Sequence, residues 1–312
     1  MKPAALRPGA TLAVVSPAST PKPNMVQAGI DCLHGLGYKT VLSPHALDRG
    51  PLYYAGTVEQ RVADLHAAFA DAAIDGIVCT RGGWGSAELL PHLDAELVRA
   101  NPKVFIGYSD HTSLHAWLAR EAGLVTFYGP MVAADFARAN GFDPISWDHA
   151  LSGDSSWSLG SNDGLRMLRP GVAEGILAGG CISILTESLG TPYAALPASA
   201  QQPRILFLED IGTKPYKWDR FLLHLRFAGM LEHVSGIVFG DMRQCVTPEE
   251  DPLMEAAILH ALADFAGPIA IGLRCGHVDS PNITLPLSVR VRLELGDADN
   301  PRIEFLEAAT SS

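Results

Sequence analysis

Positive charge is scarce in this chain of 312 residues: 23 Lys and Arg stand against 34 Asp and Glu, a formal net charge of −11. Phosphate binding needs clustered Lys and Arg, which are missing, so nucleic acid is excluded as a partner and an acidic membrane surface is disfavoured. A neutral or zwitterionic small substrate fits this balance. Cysteine is also sparse. Cys32, Cys79, Cys181, Cys245 and Cys275 are scattered, odd in number and without a CxxC or zinc spacing. That excludes a disulfide framework and a cysteine-ligated metal, and it fits free thiols in a reducing cytoplasm. No apolar run approaches the length of a membrane span, and Pro8 and Gly9 interrupt the place where a signal peptide would carry its apolar stretch. There is no internal repeat and no low-complexity tract; only residues 308–312 read as disordered.

What is present is an α/β rhythm in two halves. A chain of this length exceeds the size at which one core stops growing, so two domains are expected. Short apolar strands at 12–15, 39–42, 76–79, 104–107 and 125–128 alternate with helical patterns at 25–36, 58–69, 87–93 and 95–100. Nearly continuous apolar strands between helices predict a mostly parallel sheet flanked by helices, in an N-terminal domain over 1–136. Residues 137–171 turn polar, rich in Asn, Gly and Ser, and read as an interdomain linker; Trp147 and Trp157 within it either line a substrate mouth or pin the linker. A C-terminal α/β domain over 172–312 follows, with helices at 182–189, 217–231 and 252–265. Its strands are expected at 204–210, 236–241 and 269–271, closed by β-rich segments at 283–295 and 302–306.

In parallel sheets ligands collect beyond the carboxyl ends of the strands. Ser109 stands there, in Gly107-Tyr108-Ser109-Asp110-His111, where a strand gives way to a helix pattern. Such a junction presents a hydroxyl outward and points free amides at whatever sits over it, the geometry of an acyl-transfer nucleophile. The match to Gly-x-Ser-x-Gly is partial, because His111 occupies the second glycine position; Ser109 or Asp110 acting only as a helix cap remains the competing explanation. The glycine loop Arg81-Gly82-Gly83-Trp84-Gly85 also follows a strand, and its backbone amides suit an oxyanion site or a simple turn. A serine nucleophile needs a base, and the base an orienting acid. Glu209 ends a run of apolar strand residues and must be partnered there; Asp210 beside it is the rival, on the opposite face by strand alternation. His277 lies in the loop after the strand pattern that ends at Leu273, which lets it converge with Glu209 across a domain cleft on Ser109. His111 and His115 are one helical turn apart but lack HExxH and a third ligand, so no metal is expected. His224, His233 and His260 read as surface or packing residues, and Asp219-Arg220 as an ion pair or domain contact.

The chain resembles the LD-carboxypeptidase family of serine peptidases, the muramoyltetrapeptide carboxypeptidase group with its microcin C self-immunity relatives. The likeness rests on Arg81 through Gly85, Asn101-Pro102-Lys103 through Asp110, Gly129-Pro130-Met131, Glu174-Gly175 through Gly180, Gly190-Thr191-Pro192-Tyr193, Leu208-Glu209-Asp210 through Arg220, and Gly276-His277 through Pro286. The resemblance implies a triad of Ser109 as nucleophile, His277 as general base and Glu209 as its orienter, with an oxyanion hole from the amides of Gly83 and Asp110. Arg81, Trp84 and Tyr108, around these groups, are the candidate substrate-binding residues. It further implies a two-domain α/β enzyme without cofactor or metal, a cytoplasmic homodimer that releases D-alanine from muropeptide tetrapeptides in peptidoglycan recycling. Two other functions compete: an immunity-type amidase on peptidyl or aminoacyl adenylate analogues, for which Trp157 is the one candidate to stack adenine, and a non-enzymatic two-domain binding protein. The second of these predicts that Glu209 and His277 lie far from Ser109 and from each other. Trp84, Cys181 and Ser288 depart from the tyrosine, asparagine and glycine usual in the family.

Overall fold

The computed structural model describes residues 1–194, 202–279 and 281–311. They form two compact units, the first of Met1–Asp154, Ser280–Leu287 and Ala308–Ser312, the second of Ser155–Asp279 and Ser288–Glu307.

The first unit is built on strands β1 (Thr11–Val15), β2 (Lys39–Leu42), β3 (Gly76–Cys79), β4 (Val104–Gly107) and β5 (Thr126–Tyr128). These five run parallel, in the spatial order β5-β4-β3-β1-β2. β3 and β4 are buried at every residue, which is why they read as unbroken apolar runs rather than alternating ones. Helices α1 (Pro23–Gly35), α2 (Val58–Ala70), α3 (Ala95–Ala100) and α4 (Thr112–Trp117) connect the strands. α2 starts on a full capping box, with the Thr57 hydroxyl and the Gln60 side chain each satisfying the other's backbone amide. The helix expected over 87–93 is a 3-10 turn at Ser86–His92 instead, with Pro91 removing a donor from it.

The remaining elements are α5 (Pro144–Leu151), β6 (Trp157–Gly160), β7 (Arg166–Arg169), β8 (Gly171–Cys181), α6 (Ile182–Glu187), β9 (Arg204–Glu209), α7 (Pro215–Phe227), β10 (Val234–Gly240), α8 (Asp251–Ala261), β11 (Ile269–Leu273), β12 (Leu285–Leu287), β13 (Arg290–Leu295) and β14 (Arg302–Phe305). In the second unit the sheet order is β6-β14-β13-β8-β9-β10-β11-β7, with β8 to β11 parallel and the strands at both margins antiparallel. Its core gathers Leu206 and Leu208 of β9, Phe239 of β10, and Trp218, Leu222 and Leu225 of α7. The α7 residues recur at helical spacing, so one stripe of that helix faces the sheet.

Residues 137–171 are thus not a plain linker. They hold α5, whose Trp147 packs edge-on against Tyr38 and Phe136, and then β6 and β7, which close the two margins of the second sheet. Short strands carrying Arg, Ser and Gly on an edge resemble polar loop in sequence, because β6 buries only alternate residues and β7 buries none fully. The expected closing segment 283–295 also divides. Its first part, β12, pairs antiparallel with β5 in the first unit, as an edge strand that tolerates Pro286. The tail at 308–311 is ordered by backbone pairing rather than by apolar bulk. Ser311 N–H donates to Pro3 O at 2.7 Å, Ala5 N–H donates to Ser311 O at 2.9 Å, and Thr310 is buried.

Candidate active site

β4 delivers the chain to Ser109 from the middle of the first sheet. Tyr108 and Asp110 on either side are buried while Ser109 is partly exposed. The serine has φ +64°, in the left-handed region that costs a non-glycine residue on the order of 1–3 kcal/mol and persists only where its surroundings enforce it. Both of its backbone groups are held. Its N–H donates to the Tyr128 hydroxyl oxygen at 3.0 Å, and its carbonyl accepts from Thr112 Oγ1 at 2.7 Å. Neither the short turn Ser109–His111 nor α4 after it has a side-chain cap, so capping does not explain Ser109 or Asp110. Asp110 Oδ2 instead accepts from Ser86 N–H at 2.8 Å; burial raises the Asp110 carboxyl above the ordinary range, against the lowering effect of that amide.

The glycine loop touches this serine. A Cβ on Gly82 would stand 2.8 Å from Ser109 Cβ and 2.9 Å from Ser109 Oγ, so glycine is required for the loop to come this close. Gly83, at φ +110°, is exposed and rests on Ser19, whose Oγ accepts from Trp84 N–H at 3.2 Å. The buried Arg61 fastens the loop from behind, donating to Pro17 O at 3.0 Å, Gly85 O at 2.9 Å and Glu88 Oε2 at 2.7 Å. Arg81 is exposed, with Nη2 3.6 Å from where a Gly83 Cβ would be. Trp84 is half-buried, and Tyr108 is buried, its ring tilted against that of Tyr128 at 6.1 Å.

In the second unit Glu209 ends β9 and is only 1% exposed. Its Oε2 lies 2.8 Å from His277 Nδ1 and also accepts the His277 backbone N–H at 2.9 Å. A carboxylate oxygen receiving two donors acts as an acceptor, so Nδ1 carries a hydrogen and the lone pair of the ring falls to Nε2. Gly276, at φ +91°, makes room: a Cβ there would meet Glu209 Cδ at 2.6 Å and Oε2 at 2.7 Å. The His277 side chain keeps 14% exposure above the fully covered acid. Asp210, the rival, engages other groups: its Oδ1 accepts from Ile211 N–H at 2.8 Å, and Cys181 Sγ lies 3.6 Å from the same oxygen.

His111 and His115 are fully buried. Burial lowers their pKa values to about 3 and about 4, so both rings are neutral at pH 7. His115 bridges Gly107 O and Thr126 Oγ1 at 2.8 Å each, a packing role. Among the described residues no cluster of three or more His, Cys, Asp or Glu is arranged to hold a metal, and no helix is long and apolar enough to cross a membrane. Trp157 stacks on Phe305 at 4.0 Å and is buried, which removes it as an adenine-stacking surface.

Tyr128 and Arg61 were not singled out from the sequence. Tyr128 had a usable signal, a polar-tipped aromatic at the carboxyl end of the strand beside β4. Arg61 had another, a cation set among the apolar positions Val62, Leu65 and Phe69 of a helix.

Comparison with known proteins agrees with this architecture. Residues 12–129 match the LD-carboxypeptidase N-terminal domain and residues 174–293 the LD-carboxypeptidase C-terminal domain. A Bacillus subtilis protein named "probable murein peptide carboxypeptidase" is 35% identical, over 95% of this chain and 92% of its own. The murein tetrapeptide carboxypeptidase of Pseudomonas aeruginosa is 31% identical, over 85% and 87%. Among solved structures, muramoyltetrapeptide carboxypeptidase from Oxalobacter formigenes superposes with TM-score 0.83 at 26% identity, covering 96% of this chain and 99% of that one. Microcin C7 self-immunity protein MccF in complex with aspartyl sulfamoyl adenosine superposes with TM-score 0.88 at 25% identity, covering both chains fully. The fold and both domain matches define a two-part α/β peptidase. The chain belongs to the LD-carboxypeptidase family and is a carboxypeptidase. The non-enzymatic alternative is therefore set aside, and the contact of Glu209 with His277 runs against the separation of these two residues that it predicted.

Proposed function

We propose that the protein is a serine carboxypeptidase that hydrolyses the amide before the terminal D-residue of muropeptide tetrapeptides and releases D-alanine. The observation that carries this reading is the strained, partly exposed Ser109 pressed against the glycine loop. Ser109 Oγ attacks the scissile carbonyl as His277 Nε2 takes its proton. Glu209 holds the ring in the tautomer this requires and steadies the imidazolium. The amides of Gly83 and Asp110 receive the oxyanion, for which Gly83 offers exposed backbone and Asp110 directly follows the nucleophile. His277 then protonates the leaving amine, and water releases the acyl group by the same steps in reverse. Arg81 and Trp84, on the loop beside Ser109, contact substrate, and a guanidinium is chemically suited to a terminal carboxylate. Tyr108, buried beside Tyr128, contributes packing rather than the substrate contact expected of it.

The family resemblance supports a cytoplasmic homodimer acting in peptidoglycan recycling, and five free cysteines fit a reducing compartment. A second reading, amide hydrolysis of aminoacyl adenylate analogues, draws on the likeness to MccF with its bound aspartyl sulfamoyl adenosine. Incubation with a defined muropeptide tetrapeptide separates the two. Free D-alanine is the expected product. Cleavage of aminoacyl sulfamoyl adenosine with no D-alanine released assigns the second substrate class instead.

A further inference from the structure

We propose that Tyr128 is a positioning residue for catalysis, its phenol oxygen holding the backbone of Ser109 in the left-handed conformation that presents the hydroxyl. The inference rests on the reading of Ser109 as nucleophile. Ser109 has φ +64°, and a serine relaxes from that region unless it is held there. The hold has two ends. Tyr128 Oη accepts the Ser109 N–H at 3.0 Å, and Thr112 Oγ1 donates to the Ser109 carbonyl at 2.7 Å.

Tyr128 is well placed to act as a fixed post. It ends β5, which pairs with β4 through Gly107↔Tyr128, and its side chain is fully buried. Its ring lies 5.6 Å from that of His115 and 6.1 Å from that of Tyr108. His115 in turn bridges Gly107 O to Thr126 Oγ1 across the same two strands. The phenol oxygen therefore reaches the nucleophile's amide from a strand that cannot shift independently of it. The part-buried N–H is satisfied in this conformation by a side-chain acceptor, the Tyr128 hydroxyl. Removing that oxygen leaves the amide unsatisfied and favours relaxation of the turn. The substrate contacts proposed for Arg81 and Trp84 stay in place, so the effect falls on the chemical step.

Tyr128→Phe removes one oxygen and keeps the ring. The measured quantities are the rate at which a fluorophosphonate probe acylates Ser109, and kcat and KM on a muropeptide tetrapeptide. Both acylation and kcat are expected to fall about tenfold with KM within about twofold. Tyr38→Phe serves as the comparison: it deletes a similar phenol acceptor, 3.1 Å from Trp147 Nε1, and is expected to acylate at the wild-type rate. Thr112→Val, which releases the other end of the hold, is expected to slow acylation and kcat in the same pattern. A folded Tyr128→Phe or Thr112→Val protein that acylates at the wild-type rate overturns the inference while leaving the nucleophile intact. Unlabelled Ser109 together with full turnover by Ser109→Ala overturns the nucleophile reading itself, and the inference with it.

Discussion

The serine turn of the first unit and the Glu209–His277 pair of the second reach fixed geometry by opposite means. At Ser109 the backbone is strained and its two polar groups are clamped, so the position is held by hydrogen bonds against a tendency to relax. At Glu209 the carboxylate is held by close fit. It is nearly inaccessible, a glycine makes space for it, and its oxygen takes two donors from one residue. A nucleophile must protrude, and protrusion removes packing, so strain and clamps take its place. An orienting acid can be buried outright, because it never touches substrate. The lesson is that the serine side should tolerate changes that relax it, at the expense of activity, whereas the acid side should lose structure when its fit is spoiled.

The largest expected effects sharpen the chemical half of this contrast. Ser109→Ala is expected to lower kcat by about 10³-fold or more, and Glu209→Gln by about 10²- to 10⁴-fold, with both proteins folded; steady-state kinetics on the muropeptide checks them. Next comes Gly276→Ala. It brings a methyl to 2.6 Å from Glu209 Cδ at a backbone with φ +91°, and a loss of about 2–4 kcal/mol is expected in denaturant unfolding, together with activity. Unchanged stability would break the claim that fit holds the acid side.

A pH effect of middle size belongs to the serine side. His111 is depressed to about 3 and His115 to about 4 by burial, while the unfolded chain binds the proton near 6.5. Between those limits the unfolded state holds more protons, so this contribution is present above about pH 6.5 and is lost as pH falls toward 4, by the order of a few kcal/mol. His111→Leu is expected to flatten the acid side of the stability curve relative to wild type, read from denaturant midpoints across pH 4–7. The smallest effect compares two strained serines. Ser288, like Ser109, sits in the left-handed region, at φ +66°. Ser288→Gly is expected to stabilise by about 0.5–1 kcal/mol, with activity unchanged; Ser109→Gly is expected to stabilise similarly and abolish turnover.

Much of this was legible in the sequence. The central parallel strands β1, β3 and β4 of the first unit and β9 and β10 of the second are buried almost throughout, and they announced themselves as apolar runs. The strand-to-helix junction at Ser109, the glycine loop and the acid at the end of β9 stood out for the same local reasons. The margins were not legible. β6 and β7 are short polar edges whose pairing partners lie far along the chain, and β12 joins a sheet whose other strands end at residue 128. The ordered tail depends on backbone bonds to Pro3 and Ala5 that composition cannot reveal. The hold on Ser109 escaped for a related reason, since a Tyr–amide bond between residues 19 positions apart has no period.

The central claim is that Ser109 forms a covalent acyl intermediate. Rapid quenching of the enzyme with a muropeptide tetrapeptide, followed by intact mass and peptide mapping, tests it most directly. An adduct of the substrate lacking its terminal D-alanine, mapped to Ser109 and absent from Ser109→Ala, is predicted. Turnover by Ser109→Ala at the wild-type rate, with no adduct on any residue, would contradict it.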